Sequence, residues 1–114
     1  MNNDDFNRIL NEQTELMQKV LGHKAEEYAS DVDRLHNFRV ASELQGISMR
    51  QAVGGMMAKH TTSVYDLIQK EELADLDMWQ EKIGDHLNYL VLLMAVVKEE
   101  ALSKVRVNDA DGQF

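Results

Sequence analysis

The chain contains no cysteine and no proline, and only 12 of its 114 residues are basic. Each shortage excludes something. Without cysteine there is no disulfide framework, no thiolate-ligated zinc or iron–sulfur centre, and no covalent cysteine catalysis. That fits a reducing compartment, and any metal must be a hard ion held by oxygen. Without proline, no position is barred from a helix interior. The 20 acidic residues give a net charge of -8. No dense Lys/Arg cluster exists to displace counterions, so binding to nucleic acid or to anionic lipid is not expected. Long apolar runs are missing too. The longest, Tyr89 to Val97, is nine residues, well short of the roughly 20 needed to cross a bilayer. Met1 to Asp5 is polar and acidic, unlike a targeting peptide. The expectation is a soluble, cytoplasmic protein with no membrane partner.

What is present points to helix. Hydrophobic residues make up 44% and charged residues 28% of the chain, and no strand or hairpin pattern occurs. Four segments are predicted. The first runs from Asp4 to Ser30, capped by Asp4 or Asp5, with Phe6, Ile9, Leu10, Leu16, Met17, Val20 and Leu21 at helical spacing. Gly22 weakens it and allows a bend or break. The second starts near Asp31 or Asp33 and stops at Gly46, with Leu35, Phe38, Ala41 and Leu44 as its stripe. The third runs from a Ser48 cap to Lys70, with Val53, Met56, Met57, Val64, Leu67 and Ile68 on its apolar face. Gly54-Gly55 inside it is costly and reads as close helix packing or, less readily, as backbone approach to a ligand.

After the charged connector Glu71 to Asp77, the fourth segment runs from Asp75 to Ser103, about 40 Å. Its half Tyr89 to Val97 is apolar all round, so it needs cover on every side. A small monomer can hardly supply that, and a homo-oligomer, dimer or tetramer, is expected. The reading is a single all-α helical domain over residues 1–106, a bundle of about four helices whose core is completed by oligomerisation, with a flexible C-terminal tail over 107–114. No heptad array or internal repeat stands out.

The common catalytic motifs are absent: no Walker A loop, Rossmann glycines, nucleophile elbow, HExxH or EF-hand loop. What remains is carboxylates on helices. In Trp79-Gln-Glu-Lys-Ile-Gly-Asp-His-Leu-Asn-Tyr89, the residues Glu81, Asp85 and Asn88 fall within about 60° of one another on a helix. Ile83, Leu87 and Leu90 lie opposite. Two carboxylates one turn apart can share Mg²⁺, with water and phosphate oxygens completing the octahedron. The same spacing also describes a solvated helix face. Upstream, Lys24, Glu27, Tyr28 and Asp31 share a face, which supplies a second carboxylate pair. The same stretch also fits a Lys24–Glu27 ion pair and an N-cap at Asp31 or Asp33. Lys59 can contact phosphate as a point charge or stay solvated. His60 points into an apolar stripe, as a hydrogen-bonded core histidine does. Trp79 fits either a base-stacking or a packing role.

The pattern K-x-x-E-Y-A…D-R-x-x-N-F, then K-H-x-x-S, then W-x-E-K-I-G-D-x-x-N-Y-L, resembles a group of small phage and prophage proteins over roughly Lys24 to Glu100. That group is similar to the all-α nucleoside triphosphate pyrophosphohydrolases, the MazG and dimeric dUTPase-like superfamily. The resemblance implies a MazG-like fold and a Mg²⁺-dependent release of pyrophosphate from a (deoxy)nucleoside triphosphate, with metal held by an E-x-x-E and an E-x-x-D helix. Asp85 matches the Asp of the second element. Glu81 stands one place before its Glu, which here is Lys82. Glu27 matches the last Glu of the first element, whose first Glu is here Lys24, and Asp31 or Asp33 stands nearby.

The expected metal ligands are therefore Glu27, Asp31, Glu81 and Asp85. Catalytic work falls to Glu27, Asp33, Glu81 and Asp85, and phosphate or base contact to Asn37, Lys59 and Asn88. The alternative is a catalytically inactive helical oligomer acting as an interaction or regulatory module of phage origin, in the cytoplasm of a bacterial host. A helix-turn-helix around Gln45-Gly46-Ile47-Ser48 has too few basic neighbours to read DNA.

Overall fold

The structure, a computed structural model, describes the backbone of residues 1–27 and 33–111, and the side chains of 1–22 and 33–106. The described residues are all-helical, with no strand. Four helices follow in order: α1 Asn3–Glu27, α2 His36–Gln45, α3 Met49–Gln69 and α4 Leu76–Asp111.

Local chemistry sets most of the boundaries. Asn2, not Asp4 or Asp5, caps α1. Its Oδ1 accepts from the Asp5 N–H at 2.8 Å, and Asp5 Oδ2 accepts from the Asn2 N–H at 3.5 Å. This reciprocal pair satisfies two otherwise orphaned donors. Asp4 and Asp5 instead sit in the first turn, where the helix dipole favours negative charge. The helix then passes through Gly22 to Glu27 without a break. Gly46 closes α2 in the left-handed region at φ 66°. The N–H groups of Gly46 and Ile47 return to the carbonyls of Glu43 and Ser42, a turn that glycine enters without a Cβ penalty. Ser48 and Gln51 form a capping box at the start of α3, and Asp75 Oδ1 accepts from the Met78 N–H at 2.8 Å to start α4.

Two boundaries differ from the sequence-based expectation. α2 begins only at His36, because the Asp33 carboxylate is drawn elsewhere. It accepts from the Leu35 N–H at 3.0 Å and from Arg39 Nε at 2.7 Å, and Leu35 is an N-cap with no side-chain bond. α4 does not stop near Ser103. It continues through the expected tail to Asp111, since nothing between Lys104 and Asp111 breaks a helix and the first glycine comes at Gly112.

α3 and α4 are antiparallel. Arg50 bonds Glu100 near one end, and Thr61 Oγ1 lies 3.0 Å from His86 Nε2 toward the other. α2 folds back on α3 and closes one end of this pair. Leu35, Phe38, Val53 and Val96 form the buried core, with Met56, Tyr89 and Leu92 packed against it. Arg39 ties the Asp33 turn to α4 through a second bond, to Glu99 Oε1, at 2.7 Å. In α2 the core face is Leu35, Phe38 and Ser42, whereas Leu44, expected on the stripe, is 82% exposed. α1 lies along α4. Its Gln13 to Val20 face Asp77 to Asn88, and Leu21 and Gly22 face Val91 to Ala95, so the two helices run the same way. Among the described residues no helix is long and apolar enough to cross a membrane.

Gly54 and Gly55 are not needed for close packing, because a Cβ built on either meets nothing within 4 Å. Gly55→Ala is expected to raise the unfolding free energy by about 0.5–1 kcal/mol through helix propensity and a less flexible unfolded chain. A loss of stability in a denaturant titration would show that this face is covered. A second expectation concerns acid. The hydrogen bond from Arg39 outweighs burial and holds the Asp33 carboxyl below the usual carboxylate range. A depressed folded value gives stability that is full above the unfolded value and fades as pH falls through the folded one. Asp33→Asn should therefore cost about 0.5 kcal/mol at neutral pH, the scale of a partly exposed pair. Urea melts of the two proteins should converge well below pH 4.

Candidate functional site

The helix packing creates an open groove between α1 and α4. It has a volume of about 310 Å³, with Gln13, Leu16, Met17 and Val20 on one wall and Asp77, Glu81, Gly84, Asp85 and Asn88 among those on the other. Asp85 and Asn88 also line a second cavity of about 450 Å³, which Arg34 and Asn37 enter from the start of α2 and Met56 and Tyr89 close from the core side. Asp85 and Asn88 thus form a shared edge. The fold brings Asn37 of α2 to the cavity that Asp85 and Asn88 of α4 line, while Glu81 lines only the first groove.

The environments of these groups differ. Glu81, with its side chain 64% exposed, stands at the lip beside Lys82, 3.9 Å away. Asp85 is 43% exposed, and its Oδ2 is 3.8 Å from His60 Nδ1. The His60 ring is itself held in a stack on Tyr89, with centroids 4.7 Å apart. Asn88 is the unusual member, because its Oδ1 is buried with no hydrogen-bond partner. Gln13 Oε1, across the groove, and Trp79 Nε1 are in the same condition. Buried polar atoms are nearly always paired, so an orphan calls for a ligand, an ion or a water.

The remaining expected residues are placed differently. Asp33 spends both carboxylate oxygens on Leu35 and Arg39 and lines neither cavity. It is a staple of the α2 turn. Lys59 is exposed on α3 and also lines neither cavity. Glu27 is the last described residue of α1, and its side chain, with the whole of Asp31, lies outside the described residues.

As a metal site, the set offers oxygen only. Among the described residues no three His, Cys, Asp or Glu side chains converge at ligand distance. What is present is two carboxylates one turn apart and an orphaned amide oxygen one turn further on. Such donors suit a hard, partly hydrated ion such as Mg²⁺, which keeps several waters and takes only one or two protein carboxylates.

Two residues escaped the sequence reading. Gln13 interrupts the α1 stripe between Leu10 and Leu16, and a polar residue on an apolar line is a readable sign. Arg34 places a guanidinium at the second cavity and donates to the Leu21 carbonyl at 3.0 Å. It sits in a turn, where periodicity assigns no face.

No family model matches the chain, and neither curated proteins nor solved structures give a match. Functional inference therefore rests on the residues themselves.

If Asn88 is kept for a ligand, the ligand-free protein bears the cost of its unpaired oxygen. Asn88→Leu, which keeps the branching of the side chain and removes its polar atoms, is expected to stabilise the free protein by about 1 kcal/mol. Equal or lower stability in a chemical melt would show that the amide is already satisfied.

Proposed function

We propose that the protein binds a (deoxy)nucleoside triphosphate together with Mg²⁺ and hydrolyses it to a nucleoside monophosphate and pyrophosphate. The single observation that carries this reading is the orphaned Oδ1 of Asn88 beside Asp85 and Glu81, on the edge shared by two adjoining cavities. The reading also draws on the resemblance of the Trp79–Leu90 segment to MazG-type sequences.

In this reading Asp85 and Glu81 hold the metal, and Asn88 supplies a neutral oxygen. Glu27 and Asp31 belong to the same ligand set through the resemblance. Mg²⁺ bound there neutralises triphosphate charge and orients a water. The net reaction adds water at the α-phosphorus and breaks its bond to the pyrophosphate oxygen. Arg34 and Asn37, which line the cavity beyond Asp85, take the phosphate and base contacts. Arg34 replaces Lys59 in that role, because Lys59 stands outside both cavities. The net charge of -8 suits a protein that meets a phosphate ester with a divalent cation between them.

In this reading the working particle is a homo-oligomer, which the exposed apolar residues of α4 support. The same uncovered apolar surface also favours a second reading, in which the chain is a non-catalytic helical module and the oligomer is the functional unit. In either reading the setting is a phage-type programme in a bacterial cytoplasm.

The test is to incubate the purified protein with each NTP and dNTP plus Mg²⁺ and to measure pyrophosphate and phosphate separately. The hydrolase reading expects pyrophosphate release that Asp85→Asn lowers at least about 100-fold. No release above that variant for any nucleotide contradicts it. Mg²⁺ plus nucleotide should also raise Tm, since a ligand that prefers the native state stabilises it. A Tm indifferent to both favours the non-catalytic module.

A further inference from the structure

α4 carries a second apolar line that the protomer covers only in part, with Ile83 and Leu87 half-buried and Leu90, Met94 and Val97 exposed. Ile83, Leu87, Leu90, Met94, Val97 and Ala101 follow one another at intervals of four and three residues in turn. That is the spacing of a coiled-coil seam, here about 27 Å long. At its middle Leu90 and Met94 are 42% and 54% exposed. The helical spacing puts this line on a different flank of α4 from the Glu81, Asp85 and Asn88 groove.

We propose that the seam is the interface of a two-fold dimer, in which α4 packs antiparallel against α4 of a second copy, centred between Leu90 and Met94. The proposal rests on the oligomeric part of the reading above and gives it a face and a register. It does not depend on nucleotide binding.

Several observations fix the occupant and the direction. In this register Leu90 meets the partner's Met94, Leu87 meets the partner's Val97, and Ile83 meets the partner's Ala101, so no seam residue is left over. A face that complements itself under a two-fold axis is what an isologous contact requires.

Charge favours the antiparallel arrangement. Asp77 lies at the start of α4 and Arg106 near its far end, and the register sets the two alongside each other. Antiparallel packing sets opposite signs alongside each other, whereas parallel packing stacks like on like.

The ends agree as well. Phe6, Ile9 and Leu10 are exposed on the part of α1 that precedes its contact with α4, and Leu102 and Val105 are exposed toward the far end of α4. These two uncovered clusters lie at opposite ends of the protomer, and the antiparallel dimer brings each to the other. Together with the seam they leave eight large apolar side chains 39–59% exposed, a surface of the kind a stable interface of about 800 Å² per partner covers. The lone protomer, 61 Å long with a radius of gyration of 17.9 Å, is far from the roughly 13 Å of a compact chain of this length.

The test combines mass and pairing. Light scattering is expected to give at least twice 13.1 kDa for the native chain. Met94→Asp and Leu90→Lys should each give monomers with unchanged helical circular dichroism, because both positions are exposed in the protomer. The chain has no cysteine of its own, so Leu90→Cys and Met94→Cys can be refolded together and oxidised. Disulfides joining Cys at position 90 to Cys at position 94 should then dominate. Dominant pairing of either variant with itself overturns the antiparallel register. Oligomers that survive both charged substitutions overturn this interface and leave the oligomeric reading standing. A native chain that is monomeric at every concentration overturns both.

Discussion

α4 is 36 residues long, and apolar side chains project from it in every direction over Tyr89 to Val97. A helix of that kind is stable in water only to the extent that other surfaces cover it. α3 and α2 cover one flank through Val53, Phe38 and Met56 against Val96 and Leu92. α1 covers a second flank, but leaves open grooves against α4. The third flank is exposed at Leu90, Met94 and Val97. The placement of the other helices, the elongated protomer and the location of the polar groups all follow from how this one helix is shared among its neighbours.

The polar groups matter because of where they interrupt that cover. Glu81, Asp85 and Asn88 stand on the flank that α1 approaches, at the half of α4 where apolarity is incomplete. Further along, the same flank turns apolar at Leu92 and Ala95, which line an open groove against α1 and the α2 turn. A water-exposed lip at Glu81 therefore grades into a buried edge at Asn88. That gradient is useful chemically, since a hard cation needs charged oxygen donors and also a partly dry surround in which its field acts on a phosphate. His60 and Tyr89 back Asp85 from the α3 side, and Arg34 brings positive charge near it. Arg39, by contrast, serves architecture: it joins the turn before α2 to Glu99 and so sets the angle at which Asn37 and Arg34 reach the cavity.

Local signals were legible in the sequence and distant ones were not. Ser48, Gly46 and Asp75 mark helix ends because each satisfies backbone groups within a few residues, and the structure uses all three. Asn2 was passed over for the two aspartates beside it, although the N-cap ranking puts asparagine and aspartate level. Asp33 looked like a cap or a catalytic acid, and only Arg39, six residues on, decides its role. The Glu81, Asp85 and Asn88 face followed from periodicity alone, but its meeting with Asn37 and Gln13 needed the packing of three helices. The first half of the seam, Ile83, Leu87 and Leu90, is legible as the side opposite the carboxylates, whereas its continuation through Met94 and Val97 is hidden because the residues around it there are apolar too. A periodic line emerges only after α2 and α3 claim theirs.

The central claim is that the flank of α4 carrying Asn88 is a cation site, not a solvated face. Mn²⁺, a paramagnetic ion of similar ligand preference to Mg²⁺, can be titrated into isotopically labelled protein while amide resonances are followed. The account predicts that substoichiometric Mn²⁺ first broadens the side-chain amide of Asn88 and the backbone amides of Glu81 to Asn88, and that Asp85→Asn abolishes this selectivity. Broadening that begins instead at Glu71, Glu72 and Asp75, or spreads evenly over the acidic surface, would contradict it.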